Sequence, residues 1–385
     1  MNQDFKMVAK TLFGLEEILA KELKELGARE TKIGVRNVSF VGDTGFMYKA
    51  NLSLRTAIKI LKPIKRFQVR NEDDLYYHVK KMNWSKYLDL DTTFAINATV
   101  SSPYFNHSKY IALKSKDAIA DYFMAKLGRR PDVDIKNPDL RIDIHIYNNN
   151  CTVSLDSSGD SLHKRGYKVV SSEAPISEVL AAGILKLAGW NGDTNLIDPM
   201  CGSGTILTEA AMIAGNIPPQ LHRKSFAFQK WEDYDEDLYK LIYNSSLKRI
   251  KEFSAKLIGY DRSPAALEMS RLNVENADLS EFITLEQKNF FKTEKPVGPT
   301  TLIFNPPYDE RLSVDISDFY GKIGDTLKKG YAGCSAWFIT GNTEALKHVG
   351  LRTSKRIKLY NGSLESRLVK YDLYDGTKKV RKEIN

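Results

Sequence analysis

The chain of 385 residues is 42% hydrophobic, an ordinary content for a globular protein of about two or three domains. No apolar run reaches the roughly eighteen residues of a membrane span, and the charged N-terminus does not resemble a signal peptide. Its cysteines (Cys151, Cys201, Cys334) and six scattered histidines form no metal-binding pattern. We therefore predict free thiols, a reducing cytoplasm, no membrane and no bound metal.

The positive charge is concentrated in the first half. Residues 1–170 contain 28 Lys and Arg against 20 Asp and Glu, whereas residues 171–385 contain 29 against 28. A basic front half beside a near-neutral back half indicates that one part binds a polyanion and the other carries the chemistry. A solvated basic surface without a partner is the alternative.

The first half mixes helical and strand patterns. Residues 13–27 place five aliphatic side chains on one helical face and end at Gly27. Further on, the patterns predict strands at 37–43 and 59–70 around a helix at Asn51–Ile60, an acidic break at Asn71–Asp74, a strand at 92–100, a helix at Lys109–Leu127 and a hairpin that turns at Asn148–Asn150. We predict two small α+β units, residues 1–50 and 51–155, and a linker at 156–172.

Residues 173–385 show a different pattern, in which strands and helices alternate. Strand patterns at 194–200, 256–261, 282–289, 300–307 and 335–341 alternate with helices at Ile206–Ala214, Pro264–Ala277 and Phe319–Lys328. This alternation predicts an open, mostly parallel α/β sheet with helices on both faces. The last two patterns, 355–362 and 365–374, have no helix between them and predict a terminal antiparallel pair.

Three strand ends carry residues suited to a nucleoside-containing cofactor, and ligands of open α/β sheets bind at those ends. Asp261, followed by Arg262, can accept both hydroxyls of a ribose. Asn289 can bond an adenine edge, and Phe290 can cover its face. Asp198 ends another strand before a glycine-containing turn that allows close backbone approach. The residues of that turn are Pro199, Met200, Cys201, Gly202, Ser203, Gly204 and Thr205.

Two other nucleotide-binding patterns fit less well. A dinucleotide fingerprint requires a third glycine and an acidic residue about twenty positions further on. Here Gly204 is followed by Thr205, and Asp261 lies 63 positions after Asp198, beyond an insertion around residues 216–240. A P-loop is excluded because no Gly-Lys-Ser/Thr follows the glycines.

The loop Asn305-Pro306-Pro307-Tyr308 ends a buried strand pattern. The Oδ1 atom of Asn305 and the carbonyl of Pro306 can each accept one N–H bond from an exocyclic amine of a nucleobase. The prolines make the loop stiff, and Tyr308 can stack on the base. We predict that the loop is catalytic and that Asn305 also borders the cofactor. A plain strand-terminating turn is the alternative.

These strand-end motifs resemble those of the class I S-adenosylmethionine-dependent methyltransferases. Asp198–Thr205 resembles the first motif, Tyr260-Asp261 the ribose-binding position, and Asn305–Tyr308 the motif of the amino-methylating members. The resemblance implies S-adenosylmethionine as cofactor and a Rossmann-like, seven-stranded, mostly parallel sheet. Asn289 departs from the Asp that the family often has there.

The whole chain resembles the THUMP-containing RNA methyltransferases, nearest the bacterial guanine-N2 methyltransferases of 23S ribosomal RNA. The resemblance rests on residues 1–170, 162–168, 173–185, 339–342 and 359–374. It implies a ferredoxin-like and THUMP RNA-binding module before the methyltransferase domain. It also implies an N2-methylguanosine product, in 23S rRNA or a precursor large-subunit particle. An N6-adenine methyltransferase and an inactive RNA-binding protein are the alternatives.

Two further groups of residues are predicted to contact RNA. We expect Lys164, Arg165 and Tyr167 to clamp the strand near the pocket, unless they belong to a solvated linker. A second group is expected to shape the base pocket and consists of Asn361, Glu365 and Arg367.

Overall fold

The computed structural model describes residues 3–171, 175–307 and 315–374. The elements of the first half are β1 (Phe5–Thr11), α1 (Glu16–Leu26), β2 (Arg29–Gly34), β3 (Asn37–Gly42), α2 (Thr44–Ser53), β4 (Ala57–Gln68), α3 (Glu72–Lys80), β5 (Phe94–Ser101), α4 (Ser108–Leu127), β6 (Leu140–Tyr147) and β7 (Asn150–Asp156). Those of the second half are α5 (Glu178–Ala188), β8 (Asn195–Asp198), α6 (Thr205–Ala214), α7 (Glu236–Leu247), β9 (Leu257–Asp261), α8 (Pro264–Asn276), β10 (Ile283–Gln287), β11 (Thr300–Phe304), α9 (Ile316–Gly330), β12 (Ser335–Thr340), β13 (Lys355–Asn361) and β14 (Leu364–Asp372).

The chain forms two compact units, and each unit is assembled from segments that are not consecutive in the sequence. The first unit runs to Thr11, resumes at Leu19–Leu162 and includes Arg223–Ser245. The second unit consists of Leu12–Ile18, His163–His222 and the chain from Ser246 onward. Each unit therefore contains a segment from the other half of the chain.

One sheet of seven strands organises the first unit, in the order β2-β3-β1-β4-β7-β6-β5. Strand β4 joins its two sides, because its first residues pair with β1 and its later residues pair with β7, with a register shift at Pro63. The predicted border between residues 50 and 51 falls inside α2. The strands on both sides of this border belong to one sheet.

Two local predictions in the first unit were wrong. The helix expected at Asn51–Ile60 is α2, which begins where the Asp43 side chain accepts a hydrogen bond from Phe46 N at 2.7 Å. The expected acidic break at Asn71–Asp74 is the start of α3. Asn71 caps this helix by accepting from Asp74 N at 2.8 Å, and acidic side chains in the first turn favour the positive end of the helix dipole.

The segment Arg223–Ser245 supplies aromatic side chains to the core of the first unit. Phe228 is fully buried and stacks on Tyr48, with ring centroids 4.4 Å apart. Phe226 stacks on Phe228 at 5.2 Å, and Trp231 lies in the same core. This insertion between α6 and β9 is thus part of the core of the first unit. Its position in the sequence, within the second half of the chain, does not indicate this.

The second unit has the predicted α/β architecture. Its seven-stranded sheet has the order β10-β9-β8-β11-β12-β14-β13, parallel except for β14, which is antiparallel to both neighbours. The predicted strands and helices all occur here, with ends shifted by a few residues. The fold class predicted from the sequence is confirmed, including the terminal antiparallel pair.

Within the described ranges, no helix is long and apolar enough to span a membrane. The three cysteines are buried, free thiols. Burial raises the pKa of Cys151 to about 12, so this thiol is protonated at neutral pH.

Candidate active site

The predicted site residues lie at the carboxyl edge of the second unit's sheet. Asp198 ends β8, Asp261 ends β9, Asn289 follows β10 and Asn305 follows β11. These strands are neighbours in the order β10-β9-β8-β11. The fold therefore brings together the three cofactor motifs and the acceptor loop, which are spread over more than a hundred residues of sequence.

The glycine-containing turn after β8 is tied to the next strand. Cys201 N donates to Tyr260 O at 2.9 Å, and Gly202 N donates to Asp261 Oδ2 at 3.1 Å. Gly202 and Gly204 have φ values of 54° and 76°, which favour glycine. A Cβ atom on Gly204 would lie 2.5 Å from Ser270 Oγ, so α8 packs directly against this turn.

Asp198 lies beneath the turn. Its Oδ1 accepts a hydrogen bond from Met200 N at 3.2 Å, and its side chain is buried. Burial raises the pKa of Asp198 to about 8, the Met200 N–H partly opposes this, and the negative charge of Asp261 adds to it. Asp198 thus supports the turn and does not line the pocket.

Asp261 is positioned by backbone donors on both sides. Besides Gly202 N, it receives a hydrogen bond from Ser263 N to Oδ1 at 2.9 Å. Each carboxylate oxygen still has a free lone-pair direction, because an ionised carboxylate offers about four acceptor sites. The group can therefore accept ligand hydroxyls without giving up its contacts to the turn.

An open pocket with a cavity volume of about 120 Å³ adjoins Asp261. The predicted residues that line it are Pro199, Met200, Asp261, Arg262, Asn289, Phe290 and Pro307. Sequence reasoning missed Lys288, Phe291 and Phe319. Lys288 and Phe291 flank predicted residues and could have been found that way, whereas nothing in the sequence marks Phe319 on α9.

Asn289 and Phe290 have more specific positions than the sequence indicated. Asn289 Oδ1 accepts a hydrogen bond from Phe291 N at 3.0 Å and starts a short 3₁₀ turn. Phe290 is buried against Phe304 and Tyr331. Phe291 and Phe319 meet edge to face at 5.5 Å. A carboxylate beside an aromatic, partly apolar wall fits a cofactor that contains a nucleoside.

The acceptor loop carries an unsatisfied polar atom. Asn305 Oδ1 is buried and has no hydrogen-bond partner within the described residues. Pro306 is also buried, and Pro307 lines the pocket. Tyr308 lies outside the described residues. A buried acceptor without a partner costs roughly 1–3 kcal/mol, so Asn305 is suited to a ligand that brings an N–H donor.

The predicted RNA clamp is wrong for two of its three residues. Arg165 and Tyr167 are fully buried beside Glu209 on α6. Arg165 Nε lies 3.3 Å from Glu209 Oε1, and the Tyr167 hydroxyl donates to the same oxygen at 3.2 Å. Burial, reinforced by Glu209, raises the pKa of Tyr167 well above its usual value. These side chains hold the segment to α6, while Lys164 is exposed and its RNA contact stays a prediction.

The other predicted base-pocket residues lie on the β13–β14 pair. Asn361 ends β13, and Glu365 and Arg367 belong to β14. Glu365 is exposed, and its Oε1 atom forms an ion pair with Arg367 Nη1 at 2.9 Å. None of the three lines the pocket described above. Across the described ranges, no group of three or more His, Cys, Asp or Glu residues could hold a metal ion.

Fold and site together define a class I methyltransferase domain. Residues 165–370 match the family model for the RMKL-like methyltransferase domain, so the chain belongs to the RMKL-like methyltransferase family. Residues 69–156 match the THUMP domain, and residues 6–61 match the RlmL ferredoxin-like domain. These matches confirm the predicted family, the THUMP-containing, S-adenosylmethionine-dependent RNA methyltransferases.

Relatives cover nearly the whole chain. A Synechocystis protein named "Putative RNA methyltransferase slr0064" is 39% identical over 94% of this chain and 95% of its own. The solved structure of SMU.472, described as "a putative methyltransferase complexed with SAH", is 30% identical, with a TM-score of 0.86 over 98% of this chain and 100% of that one. A Listeria monocytogenes structure, described as a predicted N6-adenine-specific DNA methylase, is 28% identical, with a TM-score of 0.85 over 96% of this chain and 97% of that one.

Proposed function

We propose that the protein transfers a methyl group from S-adenosylmethionine to the exocyclic N2 amine of a guanosine in 23S rRNA, in the cytoplasm. The substrate is the RNA itself or a precursor large-subunit particle. The observation that carries this proposal is the buried, unpartnered Oδ1 of Asn305, beside the pocket that Pro307 and Asp261 line.

The residues of the pocket suit the parts of this cofactor. Asp261 accepts the ribose hydroxyls, and Phe290 with Phe291 supplies an aromatic surface for the adenine. The turn at Gly202 allows close backbone approach. When bound, S-adenosylmethionine supplies an electrophilic methyl group on a sulfonium. The relative complexed with SAH supports this assignment.

The acceptor loop acts on the amine. Its nitrogen is a poor nucleophile while its lone pair is delocalised into the base. Asn305 Oδ1 and the carbonyl oxygen of Pro306 each accept one N–H bond, which aims the lone pair toward the methyl donor. Pro306 and Pro307 keep these acceptors in place, so the loop contributes by positioning. Once methylated, the attacking nitrogen carries a positive charge and readily loses a proton to water.

The RNA acceptor and the base have separate support. The THUMP domain and the named activity of the Synechocystis relative support RNA. The guanine N2 position rests on the resemblance described from the sequence. The description of the Listeria relative favours adenine N6 of DNA as the second candidate, because the same loop geometry can accept either amine.

Nucleoside mass spectrometry of a strain that lacks the protein tests the proposal. Ribosomal RNA from that strain should lose one N2-methylguanosine, and the wild-type protein should restore it. Asn305→Ala should not restore it, and its turnover should fall by roughly two or more orders of magnitude. Asn305→Asp should be milder, since a carboxylate still accepts from N–H.

A control separates catalysis from folding. Purified Asn305→Ala should bind S-adenosylmethionine with an affinity near that of the wild type, measured by calorimetry. Loss of N6-methyladenine from DNA, with ribosomal RNA unchanged, would favour the second candidate. Normal restoration by Asn305→Ala would show that the loop is only a strand-ending turn.

A further inference from the structure

The carboxyl edge of the second unit's sheet extends beyond the acceptor loop. After β11 the strand order continues β12, β14, β13. Thr340 at the end of β12 pairs with Arg367, and Arg367 pairs with Lys358. With neighbouring strands about 4.8 Å apart, Lys358 lies three strand spacings, roughly 14 Å, from the end of β11. An RNA strand that places one base at Asn305 reaches this distance within a few nucleotides.

The β13–β14 region is strongly basic. Residues 352–370 contain six Lys and Arg and a single acidic residue, Glu365. The rest of residues 171–385 contains 23 Lys and Arg against 27 Asp and Glu. The positive charge of the catalytic half is therefore concentrated in the β13–β14 region, where Lys358 and Arg367 lie in register with the end of β12 and complement the phosphates of a polynucleotide.

An aromatic pair, an exposed Phe13 and a half-buried Tyr360, lies at the same place. The Phe13 side chain is 37% exposed, and its ring meets that of Tyr360 edge to face with centroids 5.6 Å apart. Gly14, with φ of 86°, lets this segment approach β13, because a Cβ atom there would lie 2.8 Å from Lys358 O. The segment Leu12–Ile18 thus adds an aromatic ring to the edge of the second unit.

Glu365 arranges the cations around this pair. Its carboxylate lies 2.6 Å from Lys358 Nζ and 2.9 Å from Arg367 Nη1, and Oε2 accepts the Tyr360 hydroxyl at 3.3 Å. Lys358 Nζ is 5.5 Å from the centroid of the Tyr360 ring. Exposed ion pairs contribute little stability. Their effect here is to keep two cations next to an aromatic surface.

We propose that Phe13, Lys358, Tyr360 and Arg367, here called the hairpin platform, bind the single-stranded RNA that flanks the target nucleotide. One unstacked base packs on the Phe13–Tyr360 pair, and Lys358 and Arg367 contact phosphates. This combination of aromatic rings and cations is how proteins hold single strands. The inference rests on the proposed function and assigns Glu365 and Arg367 to the flanking strand rather than to the target base.

The test measures RNA affinity of the full chain with a fluorescent, single-stranded oligouridine as the probe. Phe13→Ala and Tyr360→Ala should each raise its Kd roughly tenfold, the loss expected for one stacked base. Tyr360→Phe keeps the ring and should bind like the wild type. Lys358→Gln should reduce the slope of log affinity against log salt by about one.

Phe282→Ala is the matched control. Phe282 is 36% exposed and packs against Phe253 at 5.0 Å, next to β10 at the opposite edge of the same sheet. Its Kd for the probe should not change. The platform would be overturned if Phe13→Ala and Phe282→Ala lost RNA affinity equally, or if neither variant lost any.

Cofactor binding, measured on the same samples, distinguishes this inference from the proposed function. If the wild-type protein binds S-adenosylmethionine and methylates ribosomal RNA while Phe13→Ala keeps full RNA affinity, only the platform fails. If the wild-type protein does not methylate RNA, the proposed function fails.

Discussion

Single residues at the strand ends differ in how their polar atoms are satisfied. Both oxygens of Asp261 and one oxygen of Asp198 accept backbone N–H groups, whereas Asn305 Oδ1 has no partner in the described part of the chain. The carboxylates are therefore built into the turn, and Asn305 is left for the substrate. The sequence motifs already separate Asn305 from the two aspartates, and the atomic contacts add that Asp198 supports the turn and does not line the pocket.

The buried Asp198 predicts a pH-dependent stability. In the unfolded chain its pKa is about 3.9, and in the folded protein burial raises the pKa to about 8. The contribution of Asp198 to stability is fully present below the unfolded pKa and is lost as pH rises toward the folded pKa. Asp198→Asn should remove this pH-dependent loss of stability, because its side chain does not ionise, and it keeps an acceptor for Met200 N.

The free energy of unfolding should be measured by urea titration for both proteins at about pH 5 and about pH 8. The value for Asp198→Asn minus that for the wild type should increase with pH, since other carboxylates cancel in the difference. A constant difference would mean that Asp198 is ionised in the folded protein throughout this range.

At the scale of an element, the turn from β8 to α6 depends on two glycines that are not equivalent. Gly204 faces Ser270 on α8, whereas a Cβ atom on Gly202 would have no neighbour within 4 Å. Both have positive φ, so alanine costs about 1–2 kcal/mol of backbone strain at either position. Only Gly204 adds a steric conflict.

We therefore expect Gly204→Ala to lower the free energy of unfolding by about 1–3 kcal/mol more than Gly202→Ala. Removing the facing hydroxyl should recover part of that difference, so Gly204→Ala with Ser270→Ala should be more stable than Gly204→Ala alone. Urea titration of the four proteins checks this. An equal decrease in the free energy of unfolding for Gly202→Ala and Gly204→Ala would contradict the packing of α8 on the turn.

At the scale of the whole molecule, the exchanged segments change how charge and stability are divided. Counted by unit, the first contains 29 Lys and Arg against 23 Asp and Glu, and the second contains 28 against 25. The excess is therefore shared more evenly than the two halves of the sequence indicate. Both units therefore carry a net positive charge, and the proposed hairpin platform belongs to the second.

The exchange also predicts that the chain cannot be cut cleanly near residue 165. A fragment 1–165 lacks Phe226, Phe228 and Trp231, which belong to its core. Losing a buried aromatic side chain costs roughly 3–5 kcal/mol, and whole domains are stable by only about 5–15 kcal/mol. Calorimetry should show no cooperative unfolding for this fragment, and addition of the peptide 223–247 should restore a transition.

A fragment 165–385 lacks the Leu12–Ile18 segment, whose Leu15 side chain contacts the helix α5 at Gly183. It should melt below the full chain. Cooperative unfolding of both fragments at the temperature of the full chain would show that the exchanged segments are dispensable.

The sequence by itself determined the parallel sheet and the clustering of its strand-end motifs. Periodicity reports which face of a segment is buried, and the carboxyl ends of parallel strands meet at one edge of a sheet. The sequence could therefore predict that four strand-end residues lie close together: Asp198, Asp261, Asn289 and Asn305. The family followed from those motifs in order. These features are local, or follow from one topological rule.

Tertiary structure decided what depends on contacts between distant residues. Arg165 and Tyr167 look like a basic, aromatic RNA clamp in sequence, but a buried carboxylate on α6, Glu209, draws them inside. Phe319 joins the pocket only because α9 packs beside Phe291, and Phe13 reaches Tyr360 only because its segment crosses to the second unit. Burial and pairing of this kind depend on long-range packing, which no local pattern contains.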